Sequence, residues 1–559
     1  MRSLVIDRRL KNWAELEKAK SDAERMFKIW AWKARLSKDF PLIVTILGGT
    51  GTGKSTLFNS LVGQYISEVG TRRPMTRQPV IFSPPQVTDA MKSCPLLAGA
   101  EDTQSLSSDC QPIIKAHHEP SLAHAILIDA PDFDSIEQEN QVVAENLFFV
   151  SDIVLFVTSQ EKYGDMVFHL MVERGVQWGK KMVFVMNKLS SDSAYQDFMA
   201  SLRALGYYDS ALRIDRVDGL PPLIPGLKDR AEFSALFSSP SGDRSIRTLE
   251  LEHLRDHTAK GMAVLEALLT REMERIQAAV ARVQEFVHSI SAEMEAQGSR
   301  FLPSGFEEQV RARLRQVLRK YDVLATPRAV IRNVLGKLWS AVVNVLNPPD
   351  PRVPDHQERP TNELAELKAR AQLAPLESAV AALHQRIAEM LASEPGWDDL
   401  RQLTWSDVPR WDTHTLRELY AKEFPGVEEF LDQEFERLQE GLSPSERARL
   451  YGSYTLWTLL LITCEVAVGG GFSFFDAILD TVIVPFIPEL VLSAHIRDRL
   501  RDIGARVDKQ HRKALQTVLD RQAEQYETCW KRLIPPQDEL ERLRKLKRDV
   551  AEGKYYPQK

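Results

Sequence analysis

Gly48-Gly49-Thr50-Gly51-Thr52-Gly53-Lys54-Ser55 decides how the rest of the chain is read. It fits the phosphate-loop pattern G-x-x-x-x-G-K-[ST]. An apolar run, Leu42-Ile43-Val44-Thr45-Ile46-Leu47, precedes it, and an amphipathic run, Thr56-Leu57-Phe58-Asn59-Ser60-Leu61-Val62, follows. Strand, glycine loop, helix is the context in which the pattern grips a polyphosphate. Glycines let main-chain N–H groups turn inward on an anion, and the helix adds its positive end. Lys54 reaches the outer phosphates as a point charge, and Ser55 offers its hydroxyl to Mg²⁺. The expected nucleotide contacts are Gly48, Gly49, Thr50, Gly51, Thr52, Gly53, Lys54, Ser55 and Thr56.

The 559 residues are too many for one core, so about two to four domains are expected. The net charge of −6 carries no domain-wide basic excess, which makes nucleic acid an unexpected partner. The four cysteines (Cys94, Cys110, Cys464, Cys529) have neither metal-ligand nor C-x-x-C spacing and read as free thiols of a reducing cytosol. The apolar run within Met1–Arg9 is too short for a signal peptide, so a cytoplasmic location is expected, peripheral or inserted at a membrane's cytoplasmic face at most.

Around the loop the chain alternates strand and helix over residues 40–240. Residues 1–39 read as an N-terminal helix packed on later helices. After the loop helix, Thr71-Arg72-Arg73-Pro74-Met75-Thr76-Arg77 reads as a mobile loop. Thr71 and Thr76 compete for the metal there, and Arg72, Arg73 or Arg77 can neutralise charge on a phosphoryl group; a solvated basic loop is the alternative. Residues 112–117 and 123–129 read as a strand pair. The second strand ends in Asp129, placed to hold Mg²⁺, and Asp134 or Ser135 reads as the cap of the next helix. Strands at 153–158 and 182–186 follow, the latter ending in Asn187-Lys188. The pattern predicts a mostly parallel sheet with helices on both faces, and ligands at the carboxyl ends of its strands.

In their order these motifs resemble the GTPases related to the Era and dynamin families. Gly-Lys-Ser-Thr-Leu-Phe-Asn-Ser-Leu-Val-Gly is similar to the first motif. Thr-Arg-Arg-Pro-Met-Thr-Arg resembles switch I in its dynamin-like form, Asp129-Ala-Pro-Asp-Phe-Asp-Ser the third motif and Asn187-Lys188 the fourth. The resemblance implies GTP as ligand or substrate, Mg²⁺, catalytic roles among Lys54, Thr76 and Arg72, metal contacts from Ser55, Asp129 and Thr71 or Thr76, and a homodimer through the nucleotide domain. This chain departs from the family in three places. Asp132 stands where the third motif has Gly. Ser190 stands where the fourth has the guanine-reading Asp, which leaves ATP open. Thr50 and Gly51 stand where dynamins carry a catalytic Gln or Ser.

Beyond residue 240 the reading is helix upon helix, an all-α helical or stalk domain. A long arm spans 241–346 and opens on a helix about 75 Å long, a Pro-rich linker covers 347–361, and helices resume over 362–559. Helices are expected at 361–392, 412–442 and 496–533. The apolar stretch 454–494, split by Gly469-Gly470-Gly471 and flanked by arginines, reads either as a hairpin dipping into membrane lipid or as a buried core hairpin. The basic run 541–548 reads as a solvated helix end, or as a contact for anionic lipid or RNA. Two functions compete: a dynamin-like GTPase coupling nucleotide state to conformation or membrane association, and a nucleotide-gated ribosome-associated or scaffold protein with little turnover.

Overall fold

The computed structural model describes residues 4–37, 39–68, 78–95, 112–134, 138–209, 211–216, 223–235, 237, 240–297, 361–424, 430 and 494–554. The chain divides into two compact units: Met1–Ile6, Asn12–Arg271 and Pro535–Lys559 form the first, and Asp7–Lys11 with Glu272–Ile534 the second. The strands are β1 (Leu42–Gly48), β2 (Val80–Ser83), β3 (Ile113–Ala116), β4 (Ala125–Asp129), β5 (Ile153–Ser159), β6 (Lys181–Leu189) and β7 (Leu212–Asp215). The described α-helices are α1 (Trp13–Lys33), α2 (Lys54–Val62), α3 (Thr88–Lys92), α4 (Gln138–Val150), α5 (Met166–Gln177), α6 (Asp192–Ala204), α7 (Ala231–Ser234), α8 (Pro240–Gln297), α9 (Thr361–Ser393), α10 (Asp398–Asp407), α11 (Thr413–Glu423), α12 (Ala494–Lys531) and α13 (Gln537–Ala551).

The strands form one sheet in the order β3-β2-β4-β1-β5-β6-β7. Every neighbouring pair is parallel except β2–β4. Every residue of β1, β4 and β5 is buried, because helices cover both faces, and this is why their sequences run apolar without alternation. On one face Val44 and Ile46 of β1 and Val157 of β5 pack with Leu57, Phe58 and Leu61 of α2. On the other, the rings of Phe156, Phe184, Phe168 of α5 and Phe198 of α6 pack tilted or edge-to-face at centroid separations of 5.4–6.5 Å. The fold is therefore the expected α/β nucleotide-binding architecture followed by a helical region.

One pairing differs. β3 and β4 are not partners, since β2 lies between them, with Val80 opposite Ile113 on one side and Asp129 on the other. All of β2 is buried, whereas Ile113, Lys115 and Ala116 of β3 are exposed, as suits an edge strand.

The N-terminal helix, expected on later helices, packs on α4: Arg25 Nη1 is 3.1 Å from Glu145 Oε2. A further contact is with α8, where a methyl group on Gly261 would meet Ala23 Cα at 3.6 Å. Lys33 at its end donates to Asp152 Oδ1 (2.7 Å), just before β5, and Asp152 Oδ2 accepts from the Ile43 N–H (2.8 Å). Lys180 pairs with Glu250 of α8 and donates to the Ser151 carbonyl (2.7 Å), while Arg247 Nη2 donates to the Pro41 carbonyl (2.8 Å). Burial alone would raise the Asp152 carboxyl, but the charges of Lys33 and Arg247 hold it below its ordinary value. This buried ionic knot sits at the amino ends of β1, β5 and β6, away from Gly48.

α13 lies along α8 in the first unit. Arg544 Nε (2.8 Å) and Lys547 Nζ (2.5 Å) both reach Glu266, so two cations of the basic run are spent on the protein itself. In the second unit α9, α10, α11 and α12 pack on one another around Leu383, Ile387, Leu400, Val518 and Trp530. Polar pegs fix the packing: Trp530 Nε1 donates to Thr404 Oγ1 (2.9 Å), Tyr420 Oη pairs with His511 Nδ1 (2.6 Å), and Arg275 grips both oxygens of Asp399 (2.9 and 2.5 Å). α10 was not expected, and the helix expected over 412–442 ends at Glu423. Phe424 precedes Pro425 and is extended (φ −134°, ψ 96°), because the proline ring disfavours helix in the residue before it. Among the described residues no helix is long and apolar enough to cross a membrane. The apolar stretch 454–494 lies outside them apart from Ala494, which opens α12, and the linker lies outside them apart from Thr361, which opens α9.

Candidate functional site

β1 delivers the glycine loop from the middle of the sheet. Gly48 lies so close to β5 that a Cβ there would stand 2.2 Å from the Val157 carbonyl oxygen. Gly53 caps α2 at φ +94°, a left-handed conformation, and a Cβ there would meet Asn187 Nδ2 at 2.3 Å. Between them Thr52 closes the turn, its N–H and hydroxyl both donating to the Gly49 carbonyl (3.3 and 2.9 Å). Thr56 sits in the first turn of α2, where its carbonyl accepts from Ser60 Oγ (2.5 Å). Lys54 is buried; its ammonium donates to the Gly49 carbonyl (3.2 Å) and pairs with Asp132.

Asp129, at the end of β4, is fully buried beside Ser55, and burial pushes its carboxyl above the usual range against the pull of Ser67, Lys54 and Ser55. Its Oδ2 accepts from Ser67 Oγ (2.6 Å), while Oδ1 is buried with no hydrogen-bond partner among the described residues. Ser67 is held there by Asn59 of α2, whose Oδ1 accepts from the Ile66 and Ser67 N–H groups (2.9 and 2.8 Å). An orphaned buried carboxylate oxygen next to the loop serine is the donor set a hard divalent cation takes, so Ser55 and Asp129 fit Mg²⁺.

Asn187 and Lys188 underpin the loop. Asn187 Nδ2 donates to the Thr52 carbonyl (2.8 Å), and its Oδ1 accepts from the Lys188 N–H (2.9 Å). Lys188 is left-handed (φ +57°), at a register shift between β6 and β7, and its Nζ donates to the Gly51 carbonyl (2.7 Å). Ser190 gives its N–H and hydroxyl to Gln160 Oε1 (3.2 and 2.6 Å), just past the end of β5.

Asp134 Oδ1 accepts from both the N–H and the hydroxyl of Thr50 (2.7 Å each), and α4 is described from Gln138, so the expected helix cap at Asp134 or Ser135 falls beside residues outside the described ones. Lys162 Nζ donates to Asp134 Oδ2 (3.3 Å). Burial would raise the Asp134 carboxyl, but the Thr50 bonds and the Lys162 ammonium hold it below its ordinary value. Gln160 and Lys162 went unread in the sequence, and Asp134 was read only as a candidate helix cap. Their signal is position: all follow strands whose carboxyl ends meet at the loop. Thr71, Arg72 and Thr76 lie outside the described residues.

A glycine loop after the central strand, an acid ending the neighbouring strand and an Asn-Lys pair ending a third define a P-loop nucleotide-binding domain. Residues 43–188 match the family model described as "50S ribosome-binding GTPase". The first unit thus carries a P-loop GTPase domain, and a GTPase domain followed by a helical region is the dynamin-like arrangement that the motifs resemble. No curated protein matches the chain. Two solved structures are similar to it, both described as an oligomerised bacterial dynamin pair that provides a mechanism for long-range sensing and tethering of membranes. One is 12% identical, covering 93% of this chain and 90% of that one at a TM-score of 0.38. The other is 13% identical, covering 95% and 90% at a TM-score of 0.35.

Proposed function

We propose that this protein binds and hydrolyses GTP with Mg²⁺ and uses nucleotide state to change conformation or membrane association, in the dynamin-like manner. The observation that carries the reading is the convergence of the loop amides, Lys54, Ser55 and Asp129 at the carboxyl ends of adjacent strands. In this reading the N–H groups of 48–56 cradle the phosphates and Lys54 neutralises the outer ones. Ser55 and Asp129 would hold Mg²⁺, which would supply positive charge to offset the negative charge developing on the phosphates. Thr71 or Thr76 would complete the metal shell, and Arg72 would neutralise charge on the phosphoryl group. Asn187 and Lys188 stiffen the loop and border the base. Ser190, held by Gln160, leaves the choice of GTP over ATP to be measured. Pairing of two nucleotide domains and lipid contact through 454–494 complete the proposal.

The description of the matched family favours a second reading, in which the same site gates binding to a ribosomal particle with little turnover. Competition of GTP and ATP for the wild-type chain tests the ligand. Flotation with liposomes and co-sedimentation with ribosomes, each with and without a non-hydrolysable GTP analogue, separate the two readings. GTP-dependent flotation supports the first, GTP-dependent ribosome binding supports the second, and binding of neither nucleotide removes both.

A further inference from the structure

The donors that a P-loop offers to phosphate are turned here towards two carboxylates of the same chain. Asp134 Oδ1 takes the Thr50 N–H and the Thr50 hydroxyl at 2.7 Å each. The carboxylate presses on the loop backbone: a methyl group on Gly49 would meet Asp134 Oδ2 at 2.9 Å. Asp132 pairs with the ammonium of Lys54, the loop's own cation. Phe133, between the two acids, packs on Phe156 of β5 with centroids 5.2 Å apart, which anchors the segment while its neighbours face the loop. Lys162 braces Asp134 from the far side at 3.3 Å and also reaches Asp165 at 3.4 Å.

We propose that Asp132 and Asp134 form an anionic latch on the phosphate cradle, which an incoming nucleoside triphosphate must displace. The proposal rests on the nucleotide reading above and adds a regulatory contact to it. A carboxylate and a phosphate are both anions, and they need the same N–H group and the same ammonium. One ammonium cannot serve both at full strength, and two like charges side by side repel. Binding therefore breaks the Thr50–Asp134 and Lys54–Asp132 contacts and drives the segment after β4 off the loop. The latch also lowers the affinity below what the loop alone would give, because part of the binding free energy is spent on opening it.

The test is nucleotide affinity of the full chain, read by titration calorimetry with a non-hydrolysable GTP analogue. Asp132→Ala/Asp134→Ala is expected to bind at least tenfold more tightly than wild type, a change of about 1.4 kcal/mol. Asp165→Asn controls for simple loss of negative charge, since Asp165 touches Lys162 but not the loop, and its affinity should stay within twofold. Equal or weaker binding by the folded double variant overturns the latch, as does an equal gain in Asp165→Asn. If the double variant does not fold, the isosteric Asp132→Asn carries the same expectation in direction, and an unchanged affinity there overturns it. The failure of the nucleotide reading looks different: wild type would then bind no better than Lys54→Ala. A latch that alone is wrong leaves wild-type binding intact, Lys54→Ala binding lost and the acid variants unchanged.

Discussion

Replacing Asn187 with alanine removes the side chain that holds the glycine loop from below. Asn187 is 5% exposed and Thr52, whose carbonyl it caps at 2.8 Å, is 1% exposed, so water does not readily replace the lost donor. A buried carbonyl left unpaired costs about 1–3 kcal/mol. The Lys188 N–H loses its 2.9 Å acceptor as well, at a left-handed residue that this bond helps to hold, which adds roughly 0.5–1.5 kcal/mol. If about 2 kcal/mol of this falls on the binding geometry of the loop, the competent fraction and the apparent affinity drop roughly thirtyfold. Calorimetric titration with inorganic tripolyphosphate, alongside a GTP analogue, isolates the mechanism, since tripolyphosphate has no base. The reasoning requires both ligands to weaken together. Unchanged tripolyphosphate affinity with weakened GTP binding would refute it, and would assign Asn187 to the base instead.

Asp152→Ala takes the 2.7 Å carboxylate partner from the buried Lys33 ammonium, leaving it the Ser151 carbonyl, and removes the acceptor of the Ile43 N–H. It should destabilise the first unit by about 3–5 kcal/mol, read by chemical denaturation, and a loss below about 1 kcal/mol would contradict the buried-knot account. Burial holds the His511 imidazole at about 4, below its ordinary 6.5, so the unfolded chain binds a proton first as pH falls. The helical unit is therefore fully stabilised by this group above pH 6.5 and should lose up to about 3 kcal/mol between 6.5 and 4; an acid-unfolding profile identical in His511→Asn would count against it. Removing Mg²⁺ with a chelator should weaken triphosphate binding by roughly tenfold or more. Asp129→Asn should be nearly insensitive to the same treatment; an equal response in both chains would take Asp129 out of the metal site.

The glycine loop was legible because its chemistry is local: eight consecutive residues between an apolar run and an amphipathic one. Asp129 and Asn187-Lys188 were legible because strand ends converge in a parallel sheet. The contacts among them were not. That Asp134 would turn to Thr50, 84 residues away, depends on how the segment after β4 folds back, and no periodicity encodes that. Asp132 drew notice only as a departure from glycine, and its pairing with Lys54 needs the tertiary fold. Lys33, Asp152, Lys180 and Glu250 drew no reading from the sequence, because burial of a charge is decided by a partner distant in sequence. The misplaced partner of β3 has the same origin, as proximity in sequence favoured β4 while the fully buried β2 took the inner position. The early end of α11 was, by contrast, readable in Phe424-Pro425.

The central claim is that main-chain amides of one loop and a single ammonium grip a polyphosphate. Nucleotide binding by wild type and Lys54→Ala, measured side by side with GTP and ATP at saturating Mg²⁺, tests it most directly. The account predicts binding by wild type and its loss, by a hundredfold or about 2.8 kcal/mol, in Lys54→Ala. Equal affinity in the two chains would contradict it.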